Sequence, residues 1–108
     1  MIYRYEAQLN KALISIHETI QPQRVYLFGS YADGSADEHS DIDLCIVSKT
    51  LPDRKLNTLR KIRRAMAVDV DIPVDLLIYT EREFEDRCRL TSTLEYKIFN
   101  EGVLLHES

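Results

Sequence analysis

Apolar residues recur along the chain with two different periods, and the changes of period divide the sequence into helices and strands. Spacings of three and four residues predict a first helix that ends near Pro22. Its apolar face consists of Tyr5, Leu9, Leu13, Ile16 and Ile20. Helical spacing returns after Pro52, which suits the first turn of a second long helix. The predicted inner face of that helix consists of Leu56, Leu59, Ile62 and Met66.

Three short runs rich in β-branched and aromatic residues lie between the helical segments and predict strands. They cover residues 24–28, 42–47 and 74–79. Residues 30–41 are polar and predict a loop with at most one helical turn. Pro73 suits the start of the third strand, because a missing N–H is tolerated there.

The last part of the chain predicts two further helices and a short final strand. Thr80 with Glu83, and Ser92 with Glu95, have the spacing of a capping box, so each pair marks a helix start. Gly102 ends the last helix, and the apolar residues that follow suit a strand. This order predicts an α/β fold, in which helices flank a small central sheet within a single domain spanning residues 1–108.

The composition is that of an ordinary globular domain. Of the 108 residues, 44% are hydrophobic and 30% are charged, which excludes disordered and low-complexity classes. No apolar run reaches the roughly 18 residues that span a bilayer, and the first residues lack the layout of a signal peptide, so we expect no membrane association. Cys45 and Cys88 are too few for a disulfide scaffold and favour a reducing, cytoplasmic location.

The charge balance indicates that nucleic acid is not the main partner. The net charge is −4, whereas proteins that bind a nucleic-acid backbone are usually basic. The basic segment 54–64 is the exception. We interpret it as a solvated helix face, with a nucleic-acid patch or a contact to an acidic protein as the alternatives.

Three aspartates stand in or beside apolar strands. Strand alternation puts Asp41 and Asp43 on the same face, about 7 Å apart along the strand. Asp75 is flanked by apolar residues of the third strand. Clustered, buried carboxylates are unfavourable, and neither strand holds a Lys or Arg to compensate them. A hard cation such as Mg²⁺ would do so, because it binds carboxylates together with substrate phosphates.

A possible phosphate site precedes these carboxylates. The first strand ends at Gly29 and Ser30, and ten residues separate them from Asp41. A glycine lets the backbone approach a ligand closely, and a serine at the start of a helical turn adds a hydroxyl to free N–H groups. A phosphate cradle beside a carboxylate cluster points to phosphoryl or nucleotidyl transfer by metal ions.

Four segments carry a resemblance to a known family. They read LFGSYADG at 27–34, SDIDL at 40–44, PVDL at 73–76 and IFNEGVLL at 98–105. These segments resemble the minimal nucleotidyltransferase (MNT) family, a branch of the polymerase β-like nucleotidyltransferases, over nearly the whole chain. The resemblance implies the polymerase β-like nucleotidyltransferase fold, with a small mixed sheet flanked by helices.

The resemblance also implies roles for the site residues. Asp41 and Asp43 would hold two Mg²⁺ ions that bridge the nucleotide phosphates, and Asp75 would join one metal and help to activate the acceptor hydroxyl. Gly29 and Ser30 would hold the β- and γ-phosphates of the nucleoside triphosphate, with ATP as the expected substrate. The hydroxyl then attacks the α-phosphorus, and pyrophosphate leaves.

Many MNT proteins are antitoxins paired with a HEPN-domain ribonuclease toxin, and some adenylylate that toxin on tyrosine. By resemblance, we expect this chain to transfer AMP to a hydroxyl, a tyrosine, of a partner HEPN toxin in a hetero-oligomer. The alternative is a non-catalytic antitoxin that neutralises its partner by occlusion. Transfer to a small molecule or an RNA end, as in larger relatives, is a third hypothesis.

One residue departs from the family pattern. Asp33 stands where family members commonly have Arg or Lys, so the loop lacks a basic group for the triphosphate. Three explanations are open at this point. Asp33 faces the solvent, or Arg24 or Lys49 supplies the charge, or the nucleotide binds weakly.

Overall fold

The computed structural model describes residues 2–108 of the chain, with side chains from Tyr5 onward. The helices are α1 (Ile2–Thr19), α2 (Ser30–Asp33), α3 (Lys55–Met66), α4 (Glu81–Cys88) and α5 (Leu94–Glu101). The strands are β1 (Arg24–Phe28), β2 (Ile42–Ser48), β3 (Val74–Thr80) and β4 (Val103–Glu107). None of the helices in this range is long and apolar enough to cross a membrane.

The four strands form one mixed sheet in the order β3-β2-β1-β4. β2 and β3 run parallel, with α3 as the crossover between them, whereas β1 is antiparallel to both β2 and β4. The end of β1 therefore lies beside the starts of β2 and β3. In this register Phe28 is opposite Asp43, and Asp43 is opposite Asp75.

Two apolar clusters form, one on each face of the sheet. On the first face, Ile42, Leu44 and Ile46 of β2 pack with α1 and α3. On the second face, Cys45 and Val47 pack with residues of α4 and α5. Because side chains alternate along a strand, the odd-numbered residues of β2 share this second face, which we call the α4/α5 face.

The predicted strands and the first helix are confirmed, and so are three of the four residues predicted for the inner face of α3, since Ile62 and Met66 are buried and Leu59 packs against the same cluster. The helix begins at Lys55, so Pro52 lies before it. Leu56 is 58% exposed, and Thr58, 1% exposed, takes the inner position with Ile62 and Met66. Thr58, Ile62 and Met66 are each four residues apart, and at 100° per residue this spacing puts them on one side of the helix.

Of the two helix starts predicted in the last part of the chain, one is confirmed and the other is wrong. At α4, the Thr80 side chain accepts a hydrogen bond from the Glu83 N–H, and Glu83 bonds back to the Thr80 N–H, as in a capping box. At α5, Thr93 caps the helix by accepting from the Tyr96 N–H, so the predicted cap at Ser92 is wrong. Glu95 is instead buried, because the helix turns it toward Arg87.

Candidate active site

The end of β1 and the starts of β2 and β3 bring three of the predicted site residues together. Gly29 follows β1 directly, and Asp43 and Asp75 lie opposite each other on neighbouring strands. Both carboxylates are on the α4/α5 face, because Asp43 shares the side of Cys45 and Asp75 shares the side of Leu77. Although Ser30 and Asp41 are far apart in the sequence, strand pairing brings the two segments that contain them side by side.

The contact between Gly29 and Asp43 is the tightest feature of this site. Gly29 has a φ of 76° and a ψ of −154°, a conformation open almost solely to glycine. A Cβ built on Gly29 would lie 2.1 Å from Oδ2 of Asp43. The backbone at residue 29 therefore abuts the Asp43 carboxylate, which no side chain at this position would allow.

The surroundings of the Asp43 carboxylate disfavour its negative charge. Burial raises the pKa of Asp43, and the neighbouring Asp75 raises it further through its charge and a hydrogen bond. Asp41 adds to the rise through its charge alone. Asp43 is half-buried, whereas Asp41 and Asp75 are exposed. The expectation that Asp75 is embedded among apolar residues is therefore wrong; only later residues of β3, such as Leu77, pack in the second cluster.

The chemistry of this donor set fits a hard divalent cation. A cation near Asp43 and Asp75 would remove the repulsion that raises the pKa of Asp43, and oxygen ligands are those that Mg²⁺ prefers. Among the side chains described, however, no group of three or more His, Cys, Asp or Glu is close enough to form a ready-made metal site. The carboxylates of Asp43 and Asp75 are thus the part of the predicted ligand set that the fold brings together.

Ser30 begins the single helical turn α2, as the sequence predicts. The Gly29 carbonyl accepts hydrogen bonds from the N–H groups of Ala32 and Asp33. Those two N–H groups are therefore occupied, whereas the first N–H groups of the turn, those of Ser30 and Tyr31, have no acceptor inside it and can meet an incoming ligand. The position of Ser30 beside Gly29 fits the predicted phosphate contact.

The Asp33 side chain is exposed and bonded to Ser35, and the two basic residues considered for charge compensation lie at the far end of the sheet. Asp33 is exposed and accepts hydrogen bonds from the N–H and hydroxyl of Ser35, at 2.9 and 2.5 Å. Arg24 starts β1, at the far end from Gly29, and donates to the Tyr26 hydroxyl at 2.7 Å. Lys49 follows β2, again at the far end. Neither basic residue can therefore serve the Gly29–Ser30 turn.

Two contacts that the sequence analysis missed fix the surroundings of the site. The Gln8 side chain of α1 accepts hydrogen bonds from the N–H groups of Asp71 and Ile72, which precede β3. The Tyr5 and Tyr31 rings stack with centroids 4.3 Å apart and so join α1 to α2. Neither contact has a local signal, because each joins residues far apart in the sequence.

A family model described as a nucleotidyltransferase domain matches residues 7–105. The chain belongs to the nucleotidyltransferase domain family. The match includes Gly29, Ser30 and all three aspartates, so the geometry above is that of a family member. The family resemblance carried by the four sequence segments is therefore confirmed, and so is the predicted fold.

Solved structures share the fold over most of the chain. A toxin–antitoxin structure with AMP-PNP is 27% identical and has a TM-score of 0.59, covering 92% of this chain and 73% of that one. A candidate nucleotidyltransferase from Sulfolobus solfataricus is 21% identical, with a TM-score of 0.59 and coverage of 96% and 86%. A complex of tri-AMPylated Shewanella oneidensis HEPN toxin with MNT antitoxin is 23% identical, with a TM-score of 0.52 and coverage of 95% and 72%.

Two curated relatives come from Methanocaldococcus jannaschii, and both are named as candidate protein adenylyltransferases. One is 46% identical over 39 residues, which are 36% of this chain and 26% of the relative. The other is 42% identical over 57 residues, which are 52% of this chain and 58% of the relative. The matched part thus spans about a quarter of one relative and somewhat more than half of the other.

Proposed function

We propose that this protein transfers the adenylyl group of ATP to a hydroxyl group of a partner protein. The observation that carries the proposal is the close contact of the Gly29 backbone with the Asp43 carboxylate, opposite Asp75. This arrangement supports a phosphate site directly beside a pair of carboxylates. The names of the two curated relatives and the AMP-PNP structure agree with adenylyl transfer from ATP.

Each site residue has a role in the proposed reaction. Gly29 and Ser30 bind the β- and γ-phosphates, and Asp41 and Asp43 would hold two Mg²⁺ ions, one of them shared with Asp75. Bound Mg²⁺ supplies charge neutralisation at the triphosphate. The acceptor oxygen attacks the α-phosphorus, its proton passes to the Asp75 carboxylate, and the bond to pyrophosphate breaks. The products are the adenylylated hydroxyl and pyrophosphate.

We further propose that the acceptor is a tyrosine of a HEPN-domain toxin, and that the protein is the antitoxin of this pair in a hetero-oligomer. Supporting this, the chain has the fold of chains from two toxin–antitoxin structures, one of which holds a tri-AMPylated HEPN toxin.

Cys45 and Cys88 are both free thiols, which supports the proposed cytoplasmic location.

A second candidate function is a non-catalytic antitoxin that blocks its partner by occlusion. Two observations favour it. Asp33 adds negative charge beside the phosphate turn, and the described side chains do not form a ready-made metal site. Under this hypothesis the carboxylates would need neither metal nor nucleotide.

The test is transfer of label from ATP in a lysate of the source cells with Mg²⁺. α-³²P-ATP and γ-³²P-ATP are compared, because adenylyl transfer leaves only the α label on the acceptor. We expect a labelled protein with the wild type, and a loss of about 100-fold or more with Asp43→Asn. Asp69→Asn, on the exposed loop before β3, is the matched control and should retain activity.

The opposite result is equally clear. If no protein is labelled from any of the four nucleoside triphosphates, and calorimetry detects no Mg²⁺-dependent nucleotide binding, the enzyme proposal is wrong. Occlusion then becomes the better explanation. Label from γ-³²P-ATP that appears with the wild type and not with Asp43→Asn would indicate phosphoryl transfer by this protein and would also contradict the proposal.

A further inference from the structure

The proposed nucleotide site lacks a positive charge of its own. Segments 25–48 and 65–81, which contain every residue proposed above to bind nucleotide or metal, hold acidic side chains but no Lys or Arg. A triphosphate brought to this site meets the like charges of three aspartates and Asp33. A cation from another part of the chain would reduce this repulsion, and the positions of Arg24 and Lys49 exclude both.

Helix α5 is the element that approaches the phosphate turn on the α4/α5 face. It contacts β1, and its Ile98 is buried in the same cluster as Tyr26. The helix ends beside the end of β1, because Val103 pairs with Leu27 and a Cβ on Gly102 would lie 3.2 Å from the Leu27 carbonyl oxygen. The last turns of α5 are thus next to the strand that leads into Gly29.

The two flanks of α5 face opposite ends of β1. One flank lines a cavity of about 540 Å³ together with Gln23 and Arg24, at the start of β1. The helix residues of this flank are Tyr96, Phe99 and Asn100. A turn of 100° per residue puts Leu94, Lys97 and Glu101 on the other flank. That flank therefore faces the end of β1, where Gly29 and Ser30 lie.

The electrostatic environment of Asp33 agrees with this placement. Hydrogen bonds from Ser35 lower the pKa of Asp33, and the charge of Lys97 lowers it further, which agrees with the placement of Lys97 on this flank of α5. None of the ion pairs formed among the described side chains involves Lys97, whereas Lys55 and Lys61 are each paired with a carboxylate. The Lys97 ammonium group is therefore available to an anionic ligand.

We propose that Lys97 binds the triphosphate of the nucleotide and supplies the positive charge that the Gly29–Ser30 turn lacks. The inference rests on the proposed nucleotide site and adds a residue from a different element to it. An ammonium group that contacts the β- or γ-phosphate distinguishes nucleotides by phosphate number, because AMP does not reach it. Lys97 thus sets the preference for a triphosphate over a monophosphate.

The test measures the dissociation constants of ATP and AMP by calorimetry in the presence of Mg²⁺. We expect Lys97→Gln to weaken ATP binding about 10-fold, the scale of one charge-assisted contact, and AMP binding by less than about twofold. Lys97→Arg should retain ATP binding. Lys49→Gln is the matched control, because Lys49 is exposed at the far end of the sheet, and it should bind both nucleotides like the wild type.

The outcomes separate this inference from the proposed function. If the wild type binds ATP and Lys97→Gln binds it equally well, or loses ATP and AMP affinity in equal measure, the role of Lys97 is wrong and the nucleotide site stands. If the wild type binds no nucleotide, both proposals are wrong. Thermal unfolding of each variant confirms that the exposed substitutions leave the fold unchanged.

Discussion

At the scale of single residues, the candidate site depends on Gly29, because the Asp43 carboxylate occupies the space that a side chain at position 29 would need. Gly29→Ala would create a clash with Oδ2 of Asp43 at a backbone conformation that disfavours any side chain. We expect a loss of about 2 kcal/mol or more in the free energy of unfolding, together with weaker nucleotide binding. Urea unfolding and calorimetry measure the two effects.

Gly34→Ala is the control for this prediction. Gly34 also has a positive φ, 84°, but a Cβ there would meet no atom within 4 Å. We expect a cost of about 1 kcal/mol from the backbone alone, with nucleotide binding unchanged. Equal effects of the two substitutions would show that backbone strain, and not the approach to Asp43, makes Gly29 necessary.

The repulsion at Asp43 gives a prediction about stability without ligands. Asp43→Asn removes a negative charge that lies beside Asp75 and near Asp41, so it should raise the free energy of unfolding by a few tenths to about 1 kcal/mol in the absence of divalent metal. Adding Mg²⁺ should raise the melting temperature of the wild type and leave that of the variant nearly constant. A variant that is less stable than the wild type without metal would contradict this account.

The sequence analysis indicated the proposed site residues that lie in local motifs but not Lys97, which we propose from the fold. Gly29, Ser30, Asp41 and Asp43 fall within one short segment, and strand pairing explains why Asp75 joins them. Lys97 lies in no motif, because its proposed place beside the phosphate turn depends on how α5 packs against β1. The sequence could indicate that a cation was missing, but not which element would supply it.

At the scale of elements, the errors concern where two helices start and one residue of the inner face of α3. Strand alternation is strict, so the burial of β2 followed from its sequence. In α3, the helix starts at Lys55, and the buried inner position belongs to Thr58, which the apolar pattern did not indicate, while the predicted Leu56 is exposed. In α5, Ser92 and Thr93 could each cap the helix, and the choice of Thr93 moved Glu95 from a capping role to a buried position.

The buried Glu95 is the contact between α4 and α5 that a substitution can test. Its side chain is 5% exposed and accepts a hydrogen bond from Nε of Arg87 at 2.6 Å. Arg87→Ala would leave the carboxylate without this partner, and we expect a loss of about 2 kcal/mol, less than for a fully buried pair because Arg87 is 58% exposed. Chemical denaturation measures the loss.

The neighbouring Arg89 is the matched control for this ion pair. It lies 3.8 Å from Asp86, and both side chains are exposed, so Arg89→Ala should change the free energy of unfolding by less than about 0.5 kcal/mol. Adding Glu95→Gln to Arg87→Ala should recover part of the lost stability, since a neutral amide is easier to bury than a charge. No recovery would indicate that Arg87 acts through packing and not through the carboxylate.

At the scale of the whole molecule, one four-stranded sheet lies between two apolar clusters. Residues of β2 contribute to both, since Ile46 belongs to the cluster that packs with α1 and α3, and Val47 to the cluster on the α4/α5 face. The candidate site lies where this shared strand begins. If the sheet couples the clusters, the chain unfolds as the single domain that its length and composition predict.

Matched deletions of one methylene group test this coupling. Ile46, 0% exposed, and Ile98, 1% exposed, lie in opposite clusters, and each change to valine should cost about 1 kcal/mol. In a single domain, both variants shift one urea transition to lower concentration, with the same slope as the wild type. Hydrogen exchange should then show the loss of protection in β2 for either variant. If Ile98→Val weakens only α4 and α5 and leaves β2 as protected as before, the two faces of the sheet unfold separately. Helix α5, with Lys97, would then detach from the candidate site while the sheet stays folded.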